Sequence, residues 1–137
     1  MHQDDAPQQY FWPPDVDYLY QKVTILDLVN SNPDFFANSP DFLQQSLGCE
    51  RWYWRFDTAE KFQPMMKGLY RMVSGADLAI GRIQKEINRL GLGDNTISIF
   101  MSDHGMFYGE RGLSDCWLLY EDPIRVPLII FDPRLEG

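Results

Sequence analysis

Two adjacent side chains offer this chain's clearest chemistry. Asp103 and His104 close the run Asn95-Thr-Ile-Ser-Ile-Phe-Met-Ser-Asp-His-Gly105. The β-forming residues Ile97, Ile99, Phe100 and Met101 stop at Ser102, and a carboxylate, an imidazole and a glycine follow. In open α/β sheets, ligands bind in the crevice beyond the carboxyl ends of the strands. Carboxylate oxygen and imidazole nitrogen are both common ligands of divalent cations. The same residues admit a plainer reading, in which Asp103 caps a turn and His104 is a partly buried loop histidine.

The elements that must position this pair are legible in the pattern around it. From Ala59 to Leu90, apolar residues recur at 62, 65, 66, 69, 73, 76, 80, 83, 87 and 90. That spacing predicts one long amphipathic helix. Asp57 or Thr58 caps its start, Pro64 allows a kink, and Gly91 and Gly93 end it. Gly68, Gly75 and Gly81 each cost about 1 kcal/mol of helix propensity, which close packing against a neighbour would justify. A strand is expected at 96–101, a polar loop at 102–124 and a strand at 126–131, with Pro127 near its start. The last strand is apolar throughout, as an interior strand covered on both faces would be. Residues 1–56 carry Pro-Asp and Asn-Pro turn signals and read as packed loop. Within them, 20–28 suits a short strand or a helical turn, and 40–47 suits a helix started by Pro40 or Asp41. The order is α/β. Two strands and one long helix are too little for a doubly covered sheet, so the chain is expected to be part of a larger domain.

Composition narrows the function classes. The chain has 137 residues, 45% hydrophobic and 15% aromatic, which is globular. A net charge of −8 argues against nucleic acid as a partner, because phosphate binding needs a basic face. No run approaches the roughly 20 apolar residues needed to span a membrane, and no signal peptide is visible at the start. Cys49 and Cys116 belong to no CxxC pair and make no disulfide framework.

Three pieces together carry a family likeness: RFDTAEKFQPMMKGLYRMVSGADLAIGRIQKEINRLGLGDNT, then ISIFMSDHGMFYGERGL, then YEDPIRVPLIIFDPR. Their order and spacing resemble the sulfatase family of the alkaline-phosphatase-like superfamily. The likeness covers 56–134; residues 1–55 look like the family's variable, substrate-facing insertion. The resemblance implies a mixed, mostly parallel sheet flanked by helices, and the hydrolysis of a sulfate ester, from a small molecule or a sulfated carbohydrate. It implies a formylglycine nucleophile made from a Cys/Ser-x-Pro-x-Arg motif, and a bound Ca2+ that favours the attacking alkoxide. Asp103 and His104 would be metal ligands, with Asp103 beside the formylglycine hydroxyl. The imidazole leaves Mn2+ or Zn2+ as alternatives. The resemblance allows a periplasmic or extracellular location.

The chain departs from that pattern in three ways. The Cys/Ser-x-Pro-x-Arg motif is absent, and Cys49, followed by Glu-Arg-Trp-Tyr, does not stand in for it. Formylglycine is therefore expected only outside this sequence. The early metal carboxylates are absent too, since Asp4-Asp5 follows no apolar strand and reads as an acidic terminus. Third, the family's sulfate-contacting lysine, twelve positions beyond the metal pair, is Cys116 here, and a neutral thiol does not replace a point charge. Arg111 is the nearest compensating cation in sequence, or a structural loop residue. In Arg51-Trp-Tyr-Trp-Arg55, Trp52 and Trp54 could line a substrate subsite, or the cluster could anchor the following helix. Glu110 orders the loop or acts as a general acid. Phe107 to Gly109 suit the lip of a pocket, Arg125 suits an ion pair, and His2 has no expected role. A phosphodiesterase or phosphonate hydrolase of the same superfamily is the alternative chemistry, and a non-catalytic remnant the third reading.

Overall fold

The three-and-four spacing folds as expected. The computed structural model, which describes residues 10–31 and 33–135, has one uninterrupted helix at Ala59–Arg89, with Pro64 inside it. Four short elements precede it: a 3-10 turn at Pro14–Val16 and helices α1 (Pro33–Ala37), α2 (Asp41–Gln44) and α3 (Leu47–Arg55). The long helix is α4. Then follow β1 (Ser98–Met101), β2 (Phe107–Tyr108), β3 (Ser114–Asp115), α5 (Glu121–Ile124) and β4 (Leu128–Phe131). Among the described residues no helix is long and apolar enough to cross a membrane.

The core lies at the start of α4. Phe62, Met65, Met66 and Leu69 pack with Trp52 and Phe56 of the preceding segment. Beyond Leu69 the periodicity continues but the burial does not: Val73 is 58% exposed and Ile83 62%. Thr58 holds the N-cap position without a side-chain cap bond, and Asp57 instead pairs with Lys61 at 2.7 Å. Two of the three helical glycines are explained by contact. A methyl group on Gly75 would sit 2.6 Å from the Pro13 ring, and one on Gly68 would sit 2.9 Å from Trp12. Gly81 has nothing within 4 Å.

The N-terminal third is more helical than its turn signals suggest. Arg51 to Arg55 is helix, not loop; Ser46 caps it by accepting the Cys49 N–H at 3.2 Å. The expected helix at 40–47 starts at Asp41 as read but stops at Gln44. Residues 23–28 are neither strand nor helical turn. The reason is a side chain: Gln63 on α4 accepts the Ile25 N–H at 3.0 Å and donates to the Ile25 carbonyl at 2.7 Å. One amide thus meets the backbone needs that a strand partner would meet. Arg71, donating to the Leu19 carbonyl at 2.9 Å, fastens the same segment further along α4.

The strands need a correction. β1 and β4 pair antiparallel, Ser98 with Phe131 through Met101 with Leu128. β2 and β3 also pair antiparallel. Among the described residues neither ribbon has a third strand, so no parallel pairing is present. β4 is not an interior strand: Leu128, Ile129, Ile130 and Phe131 are all more than half exposed. Its apolar sequence fits burial on both faces, and among the described residues nothing covers either face.

Candidate functional site

Asp103 and His104 stand just past the end of β1. The turn is tied by its own polar groups. Asp103 Oδ1 accepts the His104 N–H at 2.9 Å, and Ser102 Oγ donates to the His104 carbonyl at 2.9 Å. The turn-capping role read from the sequence is therefore real, and it leaves Oδ2 outward. Asp103 is 86% exposed at its side chain and His104 48%. The accepted N–H, with the nearby imidazole, holds the Asp103 carboxyl below its ordinary value, so it stays an anion.

Gly105 is required by close approach. Its N–H donates to the Pro123 carbonyl at 2.8 Å, and a methyl group there would run into the backbone carbonyls of Asp122 and Arg125. The start of α5 thus lies against the turn and fixes where the pair emerges.

His104 Nδ1 lies 2.8 Å from the Gly105 carbonyl oxygen, a geometry in which Nδ1 carries the proton and donates it. The other ring nitrogen, Nε2, points away from that carbonyl. It faces Cys116 Sγ at 3.7 Å and Asp103 Oδ2 at 3.8 Å. Sequence reasoning placed Cys116 at the position of a lysine; the structure brings that thiol against the histidine.

The loop that carries Cys116 is anchored by residues the sequence reading did not connect. Asp115 is buried and held by two arginines of α3: Arg51 Nη1 at 2.7 Å and Arg55 Nη1 at 2.8 Å. Arg55 Nη1 also donates to Ser114 Oγ at 2.6 Å. Asp115 has φ of 74°, a left-handed conformation that costs a non-glycine residue about 1–2 kcal/mol. The paired, charge-assisted hydrogen bonds offset that cost. The available signal was the i,i+4 spacing of Arg51 and Arg55 on one helix face. Without the fold it did not point to Asp115.

The other sequence candidates are placed as follows. Trp52 is 8% exposed, stacked on Phe36, and belongs to the core, so it is a packing residue first. It also lines a cavity of about 230 Å³ with Phe56, Asp57 and Gly109. Trp54 is half-buried. Arg111 is tied into its loop: its backbone N–H donates to the Asn30 carbonyl at 2.9 Å, its guanidinium lies over the Tyr120 ring, and Asp122 is 3.9 Å away. Glu110 accepts the Tyr108 N–H at 2.6 Å, and burial pushes its carboxyl up. Phe107 is 1% exposed and packs edge-on against Tyr120, so it is core and not a pocket lip. Arg125 is exposed and has no ion pair among the described residues. Cys49 is buried, and burial raises its thiol. His2 and Asp4-Asp5 lie outside the described residues.

Comparison with known proteins identifies the family. The sequence model of the family described as Sulfatase matches residues 16–136. The chain belongs to the sulfatase family. The N-acetylglucosamine-6-O-sulfatase of Bacteroides thetaiotaomicron is 39% identical over 74 residues, 54% of this chain and 13% of that protein. The choline-sulfatase of Rhizobium meliloti is 33% identical over 90 residues, 65% of this chain and 17% of that protein. The chain therefore spans about a sixth or less of these relatives. The solved structure of BT4656 with its substrate D-glucosamine-2-N,6-O-disulfate superposes with a TM-score of 0.53 at 38% identity, covering 56% of this chain and 15% of that one. A phosphonate monoester hydrolase from Silicibacter pomeroyi superposes with a TM-score of 0.71 over 90% of this chain and 26% of that one. At 21% identity the second likeness shows the fold alone. The fold is thus the α/β architecture of the alkaline-phosphatase-like sulfatases.

For a sulfatase, the donors present are a carboxylate oxygen and an imidazole nitrogen at one turn. Among the described residues no group of three or more His, Cys, Asp or Glu side chains is gathered to hold an ion by itself.

Proposed function

We propose that this chain is a segment of a sulfuric ester hydrolase and contributes Asp103 and His104 to its divalent-cation site. The observation that carries the reading is the outward Asp103 Oδ2 beside His104 Nε2, 3.8 Å apart, in a turn whose other polar groups are already satisfied. Asp103 and His104 would hold a cation there, which would supply Lewis-acid polarisation of the sulfate oxygens and of an anionic nucleophile. Asp103 keeps its charge for that task, and the carbonyl of Gly105 orients the imidazole. Ca2+ is the cation the family likeness favours, with Mn2+ or Zn2+ suited to the nitrogen donor. A formylglycine would come from sequence outside these residues. A sulfated sugar is the substrate class suggested by similarity to the N-acetylglucosamine-6-O-sulfatase.

The test is a pair of hydrolysis assays on 4-nitrophenyl sulfate and N-acetylglucosamine 6-sulfate. The 137-residue chain alone should turn over neither. Residues 56–134, exchanged into the matching part of the Bacteroides enzyme, should support turnover that Asp103→Ala abolishes. Metal-dependent turnover by the chain alone, lost in Asp103→Ala, would refute the reading. Cys116 at the family's lysine position favours a second reading, in which phosphoryl or phosphonyl esters replace sulfate. In the exchanged enzyme, Cys116→Lys should raise sulfatase activity on the first reading. A bis(4-nitrophenyl) phosphate activity that Cys116→Lys lowers would support the second.

A further inference from the structure

We propose that the cavity between the end of α3 and the start of α4 binds a single uncharged sugar ring, held through its hydroxyl groups. Asp27, Trp52, Asp57 and Thr58 form part of its wall. None of these is a residue of the Asp103–His104 turn, so the site is tested without reference to the cation.

Two kinds of unused donor meet at this cavity. Trp52 is 8% exposed, and its indole N–H has no hydrogen-bond partner among the described residues. Buried polar groups are nearly always hydrogen-bonded, so an orphaned one asks for a partner. An indole N–H only donates, and what it lacks is an acceptor. The second donor is the start of α4. First-turn N–H groups have no intrahelical partner, and Thr58 at the N-cap makes no side-chain cap bond to them. Beside these donors stand two carboxylates. Asp57 is paired with Lys61 at 2.7 Å, and Asp27 is exposed.

Charge and size select the ligand class. An anion would suit the donors and would face both carboxylates. A cation would suit the carboxylates and would face the indole N–H and the positive end of α4. A hydroxyl group both donates and accepts, so it satisfies both sets without net charge. Phe56 and Phe62 supply apolar wall for the C–H face of a ring. The cavity holds about 230 Å³. Sites for drug-sized ligands run to about 300–1,000 Å³, so this one suits a single ring.

The experiment is a titration of the 15N-labelled chain with N-acetylglucosamine, followed on the indole N–H signals, with sodium sulfate and tetramethylammonium chloride as charged probes. The Trp52 signal is identified by its loss in Trp52→Phe, or by elimination with Phe variants of Trp12, Trp54 and Trp117 if that protein does not fold. The expected result is a saturable shift of the Trp52 indole and of the Ala59 and Glu60 amides with the sugar. The other three indoles should stay in place. Asp27→Ala, at an exposed position, should weaken binding about tenfold, the loss of one charge-assisted hydrogen bond. No shift with the sugar would mean that the cavity holds water only, and overturns the proposal. A Trp52 shift produced by sulfate or by tetramethylammonium in preference to the sugar, or unchanged affinity in Asp27→Ala, overturns it as well.

Discussion

Up to Leu69, α4 lies against Trp52, Phe56 and the N-terminal segment, and its apolar side chains are buried. Beyond the contact of Gly75 with Pro13 the same helical spacing continues largely into solvent, and the β1–β4 ribbon that follows is equally bare. The two regions have similar sequence character and opposite surroundings. Periodicity specifies which face of an element is apolar; it does not supply the surface that covers it. The Asp103–His104 turn hangs between the two regions. Its strand belongs to the bare ribbon, while Cys116 is anchored through Asp115 to the buried region. An uncovered apolar ribbon is also an open edge for association between chains.

The sharpest way to break the contrast is by truncation on α4. Phe62→Ala should cost about 3–5 kcal/mol in urea unfolding, as a buried aromatic does. Ile83→Ala, on the exposed half, should stay within about 0.5 kcal/mol. Equal losses would mean that the second half is covered in solution.

Asp115→Ala tests the anchor between the regions. Removing the carboxylate leaves two buried guanidiniums without it, which should cost roughly 3–5 kcal/mol. A loss below about 1 kcal/mol, the range of an exposed pair, would show that the cluster is not buried in solution.

Glycine scanning gives a smaller, signed difference. Gly75→Ala meets the Pro13 ring and should destabilise by about 1–3 kcal/mol. Gly81→Ala meets nothing and should stabilise by up to about 1 kcal/mol through helix propensity. The same sign at both positions would contradict the packing described.

The smallest effect is a pH dependence. Burial raises the Glu110 carboxyl in the folded chain above its ordinary value, so the folded state holds that proton more tightly than the unfolded one. Its contribution favours folding below the ordinary carboxylate value and is lost as pH rises through the raised one. Glu110→Gln should flatten that fall in the urea midpoint. Parallel curves for the two proteins would count against it.

Much of the frame was legible in the residues. The extent of α4, both strand positions within two residues, and the polar turn at Ser102-Asp103-His104-Gly105 follow from spacing and punctuation. What escaped was non-local. Residues 23–28 lack regular structure because Gln63, far along the chain, bonds Ile25 on both backbone groups. Arg51 and Arg55 read as a substrate-facing or packed cluster until the fold brought Asp115 between them. Cys116 read as the neutral residue at a lysine position, and no pattern in one dimension puts its sulfur beside His104. The exposure of β4 was missed for the opposite reason: its apolar run speaks of a covering that the described residues do not contain.

The central claim is that a divalent cation binds at the end of β1. It is tested most directly by backbone amide NMR of this chain with Mn2+, whose paramagnetic broadening registers even the weak binding expected of two ligands. The account predicts paramagnetic broadening centred on residues 102–105 and 114–117, absent in the Asp103→Ala, His104→Ala double variant. Broadening centred elsewhere on this acidic chain, or unchanged in the double variant, would contradict it.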